Sequence, residues 1–283
     1  MKIKVVLIIA FLLALCFCLW AVVYKNSGEY KNNKLKEEQA EVARLEMEAK
    51  KAKVQSILSN YEFPSKTLIL ASTEDFIKDL EMVLSNEDET LVLVDKKHPL
   101  PVGYVPPELV KLDGNNPATG ISASYVISRN DLSLTPETEK ILEVMASDAR
   151  EEGITLVVSS TYRSYDYQKS IYERNVRLYG QEVTDRESAR AGHSQHQLGT
   201  AIDFGSITDD FEYTKPGQWL FANAKKYGFS LSFPKGMEPV TGYRYECWHY
   251  RYIGVNACNL QEKWFDDVQQ YMLEFINYWR TIE

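Results

Sequence analysis

Two short segments constrain this chain more than any other feature of its sequence. The first runs from Ser194 to Asp203 as Ser-Gln-His-Gln-Leu-Gly-Thr-Ala-Ile-Asp, and the second is Glu-Cys-Trp-His, from Glu246 to His249. Together they supply two imidazoles, His196 and His249, and two carboxylates. Two histidines and one aspartate leave a position open on a zinc ion, whereas a structural zinc site normally has a fourth protein ligand. The pattern therefore predicts a catalytic metal site.

The spacing within the first segment predicts its local structure. His196 and Asp203 are too far apart for one helical turn and Gly199 lies between them, so we expect a loop or turn that leads into a short strand. Glu246 need not be a ligand, because a carboxylate beside the ligands can take the proton from a metal-bound water, as in H-E-x-x-H enzymes. A lone histidine is more often a surface residue, but two of the chain's four histidines lie in these segments beside acidic residues.

Three segments of the chain, in the same order as in the family, resemble the motifs of the zinc D,D-carboxypeptidases of the VanY type. This group is related to D-alanyl-D-alanine dipeptidases and to the L,D-carboxypeptidases of peptidoglycan. Two are the segments described above, which match Ser-x-His-x-x-Gly-x-x-x-Asp and Glu-x-Trp-His. The third, from Ser160 to Gln168, is similar to the family's Ser-x-Tyr-Arg-Ser-x-x-x-Gln. The resemblance extends from about Leu91 to Tyr252. It implies that His196, Asp203 and His249 bind zinc and that Glu246 is the general base that later protonates the leaving amine.

The resemblance also implies roles for three further residues. Arg163 would stabilise the oxyanion or hold the substrate's carbonyl or carboxylate, helped by Gln168 and Ser194. A guanidinium suits this role because it is permanently charged and binds carboxylates in a forked geometry. Gln168 and Ser194 have a competing interpretation, in which they only position the loop or a ligand. His193 is predicted to flank the site and His98 to lie in a loop.

The function implied by the resemblance is removal of the C-terminal D-alanine from peptidoglycan stem peptides. An L,D-carboxypeptidase acting on tetrapeptide stems would share the ligands and the base, so both specificities stay open, although the overall likeness is closer to the D,D type. The rival class is a non-catalytic, zinc-containing cell-wall binding protein. The presence of Glu246 favours an enzyme. The net charge of −8 argues against a nucleic-acid partner.

The N-terminus predicts where this chemistry takes place. An uncharged apolar run from Val5 to Val23 is long enough to cross a bilayer core of about 30 Å. Lys2 and Lys4 precede the run, which places the start of the chain in the cytoplasm and the remainder outside. A cleavable signal peptide is the alternative, but the small-x-small pattern of a cleavage site is missing. We therefore predict a single-pass signal anchor over residues 1–24, with the catalytic domain on the extracellular, cell-wall side.

Residues 25–60 form a predicted stalk or linker. They are rich in Glu, Lys, Ala and Gln, which are strong helix formers. Their apolar residues give only a weak heptad pattern, so a solvated single helix is preferred to a firm coiled coil. The chain is accordingly expected to be a monomer, or a weak dimer through the stalk.

The remaining residues, 61–283, are predicted to form one extracellular domain with its catalytic core at about 91–255. Helices and short strands occur without regular βαβ alternation, which predicts the α+β class: a small mixed or antiparallel sheet flanked by helices, with the zinc site in a cleft. Cys247 and Cys258 could form a disulfide, and the sequence does not decide whether they do. Predicted helices cover Ser72–Asn86, Pro136–Glu152, Tyr165–Leu178, Gly217–Tyr227 and Leu260–Ile282. Predicted strands cover Thr90–Asp95, Ile154–Ser159, Thr200–Phe204 and Tyr243–Trp248.

Overall fold

The structure, a computed structural model, describes residues 2–87, 90–101, 103–116 and 121–282 of the 283-residue chain. The side chains of residues 2–12, 87, 115, 116, 121 and 122 are outside the description. The chain divides into two compact units, residues 1–54 and residues 55–283. The second unit contains residues 61–283, which the sequence predicts to be one domain, and the catalytic role of that domain stays a prediction.

The N-terminal unit is helical. It contains α1 (Lys2–Asn26) and most of α2 (Gly28–Asn60). Exposed ion pairs such as Arg44 with Glu41 occur along α2, and such pairs contribute little to stability. Among the residues that the structure describes, no helix is both long and apolar enough to span a membrane. The first half of the predicted anchor, residues 1–12, lies outside the residues whose side chains are described. The anchor and the stalk's role stay predictions.

The C-terminal unit is built around a mixed sheet, and the predicted α+β class is confirmed. Its central strands are buried on both faces, because helices and long connections cover them. The sheet order is β4-β6-β7-β9-β8, in which β4 and β6 are parallel and the other neighbours are antiparallel. Two small antiparallel pairs, β1 with β5 and β2 with β3, lie outside it. The strands are β1 (Val110–Lys111), β2 (Asn115–Asn116), β3 (Ile121–Ser122), β4 (Val126–Ile127), β5 (Ser133–Leu134), β6 (Val157–Ser160), β7 (Ala201–Phe204), β8 (Phe229–Leu231) and β9 (His249–Tyr252).

The helices predicted over Ser72–Asn86, Pro136–Glu152 and Tyr165–Leu178 form in the structure within one residue of those bounds. The helix after Thr135 begins with Pro136 in its first turn, as predicted, and buries Leu142 and Met145 in the core beside Ile202 of β7. Ser164 accepts a hydrogen bond from the backbone N–H of Tyr167 and so caps the next helix. The helices are α3 (Lys66–Ala71), α4 (Thr73–Glu87), α5 (Pro136–Glu151), α6 (Tyr165–Tyr179), α7 (Gln181–Glu187), α8 (Lys215–Asn223), α9 (Glu238–Thr241), α10 (Val255–Trp264) and α11 (Gln269–Thr281).

The predicted strand Thr90–Asp95 is wrong, because this stretch pairs with no neighbouring strand in the described residues. Arginine side chains satisfy its backbone carbonyls instead. Arg251, which is fully buried, donates to the carbonyls of Thr90 and Val92 at 2.7 and 2.8 Å. Arg280 donates to the carbonyl of Leu91 at 2.7 Å. The segment is therefore held in place by guanidinium groups and not by a strand ladder.

The predicted strand Tyr243–Trp248 is also wrong, since β9 begins only at His249. Before it the chain makes a turn, in which the N–H of His249 donates to the carbonyl of Glu246 at 3.1 Å. The N–H of Glu246 in turn donates to the carbonyl of Phe233. A turn places Glu246 and His249 on the same side of the chain, which a straight strand would not do at this spacing.

The predicted single helix Leu260–Ile282 is interrupted. Helix α10 ends at Trp264 and α11 begins at Gln269, because Asp266 and Asp267 adopt positive φ values of 50° and 59°. Aspartate tolerates this left-handed conformation better than most residues. The amide of Gln261 donates to the carbonyl and the carboxylate of Asp267, which stabilises the break. In the first turn of α11, Gln269 is buried and its Oε1 accepts a hydrogen bond from the side-chain amide of Gln195.

Asp95 ties α11 to the loop that follows the Thr90–Val94 stretch. Its carboxylate accepts hydrogen bonds from the N–H groups of Lys97 and His98 at 2.7 and 2.9 Å, and from the side-chain amide of Gln270 at 2.6 Å. Only 6% of Asp95 is exposed. Buried donors that lose their acceptor carry a desolvation cost.

We expect Asp95→Ala to lower the free energy of unfolding by about 2–4 kcal/mol, because three donors, among them the buried Gln270 amide, lose their acceptor at once. Denaturant unfolding of the purified protein measures this. Asp131→Ala is the matched control, since it removes an exposed carboxylate whose pairing with Arg129 should contribute less than about 1 kcal/mol. Equal effects of the two substitutions would contradict the proposed role of Asp95.

Candidate metal centre

Two neighbouring strands bring together two of the three predicted ligands. In the antiparallel register of β7 and β9, Asp203 lies directly opposite His249, so the two side chains project from the same face. His196 comes from a short 3-10 helix, Gln195–Leu198, which ends at Gly199 with a φ of 73°. A side chain at Gly199 would be strained, and its Cβ would lie only 3.0 Å from Leu109. The turn that starts β7 therefore depends on glycine.

The three predicted ligands converge on one point. One ligand atom from each of His196, Asp203 and His249 lies within 4.8 Å of the others, and all three residues are buried. Within the described ranges, this is the only group of three or more His, Cys, Asp or Glu residues arranged in this way. The sequence had placed these residues together, and the structure brings them into one site.

Hydrogen bonds determine which nitrogen of His196 is free. Its Nδ1 lies 2.7 Å from the carbonyl oxygen of Thr161, which can only accept, so Nδ1 carries the proton. The Nε2 is buried without a hydrogen-bond partner and lies 3.2 Å from Oδ2 of Asp203. A buried lone pair without a partner is costly, and a metal ion would satisfy it.

His249 is oriented in the same way by a side-chain amide. Its Nε2 lies 3.1 Å from Oε1 of Gln195, which also accepts a 2.7 Å hydrogen bond from the Ser232 hydroxyl. Because an amide oxygen only accepts, Nε2 of His249 carries the proton. Its Nδ1, 2.9 Å from Oδ1 of Asp203, therefore faces the same position as Nε2 of His196. Each of the three ligands makes a hydrogen bond to a group outside the metal position: His196 to Thr161, His249 to Gln195 and Asp203 to Arg163. Two nitrogens and one carboxylate held in this way fit a divalent metal such as zinc with an open coordination position.

Charge and burial keep His196 and Asp203 in the state that metal binding requires. Burial, with the nearby Arg163 cation, lowers the pKa of His196 to about 4, so the imidazole is neutral at pH 7. Although burial opposes it, the two histidines hold the pKa of the Asp203 carboxyl well below its usual range. Metal ligands must be deprotonated, and His196 and Asp203 meet that condition at neutral pH.

Glu246 lies at the edge of the ligand set. Its Oε2 is 3.8 Å from Nδ1 of His249, and only 8% of the residue is exposed. Burial, together with the negative charge of Asp203, raises the pKa of Glu246 to about 8. A carboxyl group with a pKa near the working pH is suited both to accept and to donate a proton. Its role as the general base stays a prediction.

Arg163 is held in the same cleft by two contacts. Its Nη2 lies 3.2 Å from Oδ2 of Asp203, and its Nη1 donates to Oε1 of Gln168 at 2.8 Å. The amide nitrogen of Gln168 donates to the carbonyl of Ala189, so both ends of this side chain are engaged. The hydroxyl of Ser194 accepts from the N–H of His196 and caps its helix. Gln168 and Ser194 thus support their neighbours, and their substrate-binding role stays a prediction.

The cleft itself is a cavity of about 50 Å³. Arg163, Ser194, Glu246 and the two ligand histidines line it, whereas Gln168 does not.

The other two histidines, His193 and His98, both contact Asp95. Nδ1 of His193 is 2.7 Å from the carbonyl oxygen of Asp95, and Nδ1 of His98 is 2.9 Å from its carboxylate. Cys247 and Cys258 are free, buried thiols.

The residues that hydrogen-bond to the ligand histidines, or to the partners of those histidines, were not predicted from the sequence. Gln195 stands directly before His196 within the quoted motif, and that adjacency was the one available signal. Ser232 and Gln269 reach Gln195 from distant parts of the chain, and Gln269 is 74 residues away in sequence. The contact of Thr161 with His196 is made by a backbone carbonyl, which every residue has, so the residue type could not predict it.

We expect Gln195→Leu to weaken zinc binding about 10- to 100-fold, because Nε2 of His249 loses the acceptor that fixes its proton. Competition with a chromophoric chelator measures the affinity. Gln197→Leu is the matched control, since Gln197 lies in the same turn but donates to the carbonyl of Tyr104. An unchanged affinity in Gln195→Leu would contradict the orienting role.

The raised pKa of Glu246 predicts a pH-dependent stability. A carboxyl whose pKa is higher in the folded than in the unfolded protein contributes stability at low pH and loses it as the pH rises from 4.5 through about 8. In the presence of a chelator, Glu246→Gln should therefore gain stability over the unsubstituted chain across this range, by a few kcal/mol at pH 8. Unfolding at several pH values measures the difference. A flat difference, like that expected for the exposed Glu151→Gln, would contradict the account.

Comparisons with known proteins agree with this geometry. The family model described as "VanY: D-alanyl-D-alanine carboxypeptidase" matches residues 131–255. The putative carboxypeptidase YodJ of Bacillus subtilis (strain 168) is 36% identical over 183 residues, which cover 62% of this chain and 64% of YodJ. A D-alanyl-D-alanine carboxypeptidase of Enterococcus faecium is 29% identical over 184 residues, covering 64% of this chain and 57% of that protein. The chain thus spans less than two thirds of the length of both curated relatives.

Two solved structures are also similar. The LdcB LD-carboxypeptidase has 31% identity and a TM-score of 0.57, with 69% of this chain and 88% of that chain covered. The vancomycin resistance D,D-pentapeptidase VanY, in complex with Zn(II), has 26% identity and a TM-score of 0.53, with 67% and 99% covered. With the buried His-Asp-His centre and its neighbouring glutamate, these likenesses lead to one conclusion. The chain belongs to the VanY family of carboxypeptidases.

Proposed function

We propose that this protein is a zinc-dependent D-alanyl-D-alanine carboxypeptidase that removes the C-terminal D-alanine from peptidoglycan stem peptides. The observation that carries the proposal is the buried set His196, Asp203 and His249 with the Glu246 carboxyl at its edge, all beside a cleft. A binding protein would need the three ligands but not the glutamate. The elevated pKa of Glu246 gives that residue a catalytic use that a structural site would lack.

Zinc at this site would supply Lewis-acid activation and a water whose pKa is lowered to about 7. The chain's own groups account for the remaining steps. Glu246 takes the proton of the attacking water and returns it to the amine of the departing D-alanine. Arg163 offers a permanent positive charge to the negative charge that develops on the scissile carbonyl oxygen. Its contacts with Asp203 and Gln168 restrict the guanidinium, so little reorganisation is needed during the reaction.

The choice of substrate rests on the relatives. The Enterococcus faecium relative is a D-alanyl-D-alanine carboxypeptidase, and a related VanY structure contains D-Ala-D-Ala. The LdcB structure concerns peptidoglycan recognition by an LD-carboxypeptidase, which supports the same polymer but the other specificity. We propose the D,D-specificity because the family model and the Enterococcus relatives share it.

We further propose that the enzyme acts at the outer face of the cell membrane. The support is the apolar run Val5–Val23 with Lys2 and Lys4 before it. A single anchor of this kind would keep the catalytic domain near newly made peptidoglycan, and residues 25–60 would serve as the spacer.

The zinc-loaded full chain should release D-alanine from a stem pentapeptide ending in D-Ala-D-Ala, as measured by mass spectrometry. Glu246→Gln should reduce kcat about 10²- to 10⁴-fold, because proton transfer to and from the reacting groups is lost. Its zinc content should stay at that of the unsubstituted chain. Glu151→Gln, an exposed substitution of the same kind, should leave kcat unchanged.

Two other outcomes of this assay would favour a different specificity or a different class of protein. Release of D-alanine only from a tetrapeptide with a single terminal D-alanine would make the enzyme L,D-specific. Stoichiometric zinc with no release from either peptide would refute the carboxypeptidase proposal and favour a zinc-containing binding protein.

A further inference from the structure

A second, larger cavity adjoins the metal cleft. Its volume is about 360 Å³, and it is lined by Lys96, Asp185, Ser188, Arg190, His193 and Tyr243. Ser188, His193 and Tyr243 also line the cleft that contains the metal ligands. Arg163 lines only the metal cleft. A ligand that passes over the three shared residues would therefore occupy both cavities at once.

The Lys96 side chain is exposed, but its contacts hold the ammonium group at the cavity. Its aliphatic chain packs over Gly242, where a Cβ would lie 2.9 Å from the lysine Cδ. Its Nζ lies 4.5 Å from the centroid of the Tyr243 ring and donates to the backbone carbonyl of Asp185. Within the described part of the chain, the ammonium makes no ion pair with a carboxylate. Its positive charge is thus fixed in the cavity and not neutralised.

The other charges in the cavity leave this positive charge in excess. Arg190 is 3.2 Å from the carboxylate of Asp185, which also accepts hydrogen bonds from Tyr172 and Gln181. Although partial burial opposes it, these contacts lower the pKa of Asp185 to about 2, so it stays ionised and neutralises Arg190. One positive charge, that of Lys96, is then left over.

Tyr243 adds a hydrogen-bond donor. It is 5% exposed, and its hydroxyl is buried without a hydrogen-bond partner. Burial, with the negative charge of Glu246 nearby, raises its pKa, so the hydroxyl stays protonated. An unsatisfied buried hydroxyl costs free energy that an acceptor on a bound ligand would recover. A cation and a donor side by side suit a carboxylate.

We propose that the cavity at Lys96 and Tyr243 binds a carboxylate carried by the retained, N-terminal part of the peptide substrate. The identity of the peptide rests on the proposed function. The leaving group of a carboxypeptidase is a single amino acid, which the smaller cleft beside the metal ligands would hold. The larger cavity therefore accepts the other side of the scissile bond. Stem peptides carry such a carboxylate on their γ-linked D-glutamate.

The test uses two stem tetrapeptides that are identical except that the D-glutamate α-carboxylate is free or is a primary amide. Isothermal titration calorimetry measures their binding to the zinc-loaded full chain carrying Glu246→Gln, which keeps the peptides intact. The acid should bind about tenfold more tightly than the amide, and added salt should reduce the difference. Lys96→Met should abolish the preference and Lys96→Arg should retain it. Lys97→Met, the neighbouring exposed lysine, should change nothing.

Equal binding of the acid and the amide, or no binding of either, would overturn the inference. So would a Lys96→Met variant that weakens both peptides to the same extent, since that pattern indicates a structural role. Failure of the proposed function is a separate result. It would appear as no D-alanine release by the chain with Glu246 intact, while the difference between acid and amide persists.

Discussion

The direct pairing of Asp203 with His249 across β7 and β9 is the constraint on which the rest of the site depends. A register shift of one residue would turn one of these side chains to the opposite face of the sheet, where Ile202 and Tyr250 pack. Every residue of both strands is buried. Polar ligands in such a position need partners on all sides, and the chain supplies them through Thr161, Gln195 and Arg163.

Much of the centre could be predicted because its ligands lie in short motifs whose residue types are chemically distinctive. His196, Asp203, His249 and Glu246 were identified from spacing and likeness alone. The α+β class followed from the order of elements. The strands at Thr90–Asp95 and Tyr243–Trp248 were predicted wrongly for a common reason: local β-propensity does not reveal whether a partner strand is present.

The groups behind the ligands could not be predicted, for a related physical reason. Ser232 and Gln269 meet Gln195 only after the sheet and α11 have packed, so the contacts depend on tertiary structure. The break at Asp266 and Asp267 has the same origin, since the apolar spacing continues through it while the backbone does not. The cavity at Lys96 likewise joins residues from three separate parts of the chain. The motifs therefore predict which residues form the site, whereas the orientation of their side chains depends on tertiary packing.

Burial has opposite consequences for the groups at the centre. It keeps His196 neutral and ready to bind a metal, while it makes the charged form of Glu246 costly. A divalent ion would offset that cost through its positive charge. The protein without metal is therefore expected to hold a strained electrostatic arrangement that metal binding relieves, and this links stability to the same residues that we propose to perform the chemistry.

The central claim is that one metal ion is held by His196, Asp203 and His249. X-ray absorption at the zinc edge, with anomalous diffraction from crystals of the zinc-loaded full chain, tests it most directly. The account predicts one zinc per chain, with two imidazole nitrogens at about 2.0–2.1 Å and a carboxylate oxygen at about 2.0–2.2 Å. Zinc bound to the Cys247 sulfur, or located at Asp95 and His98 with no ion at the predicted centre, would contradict it.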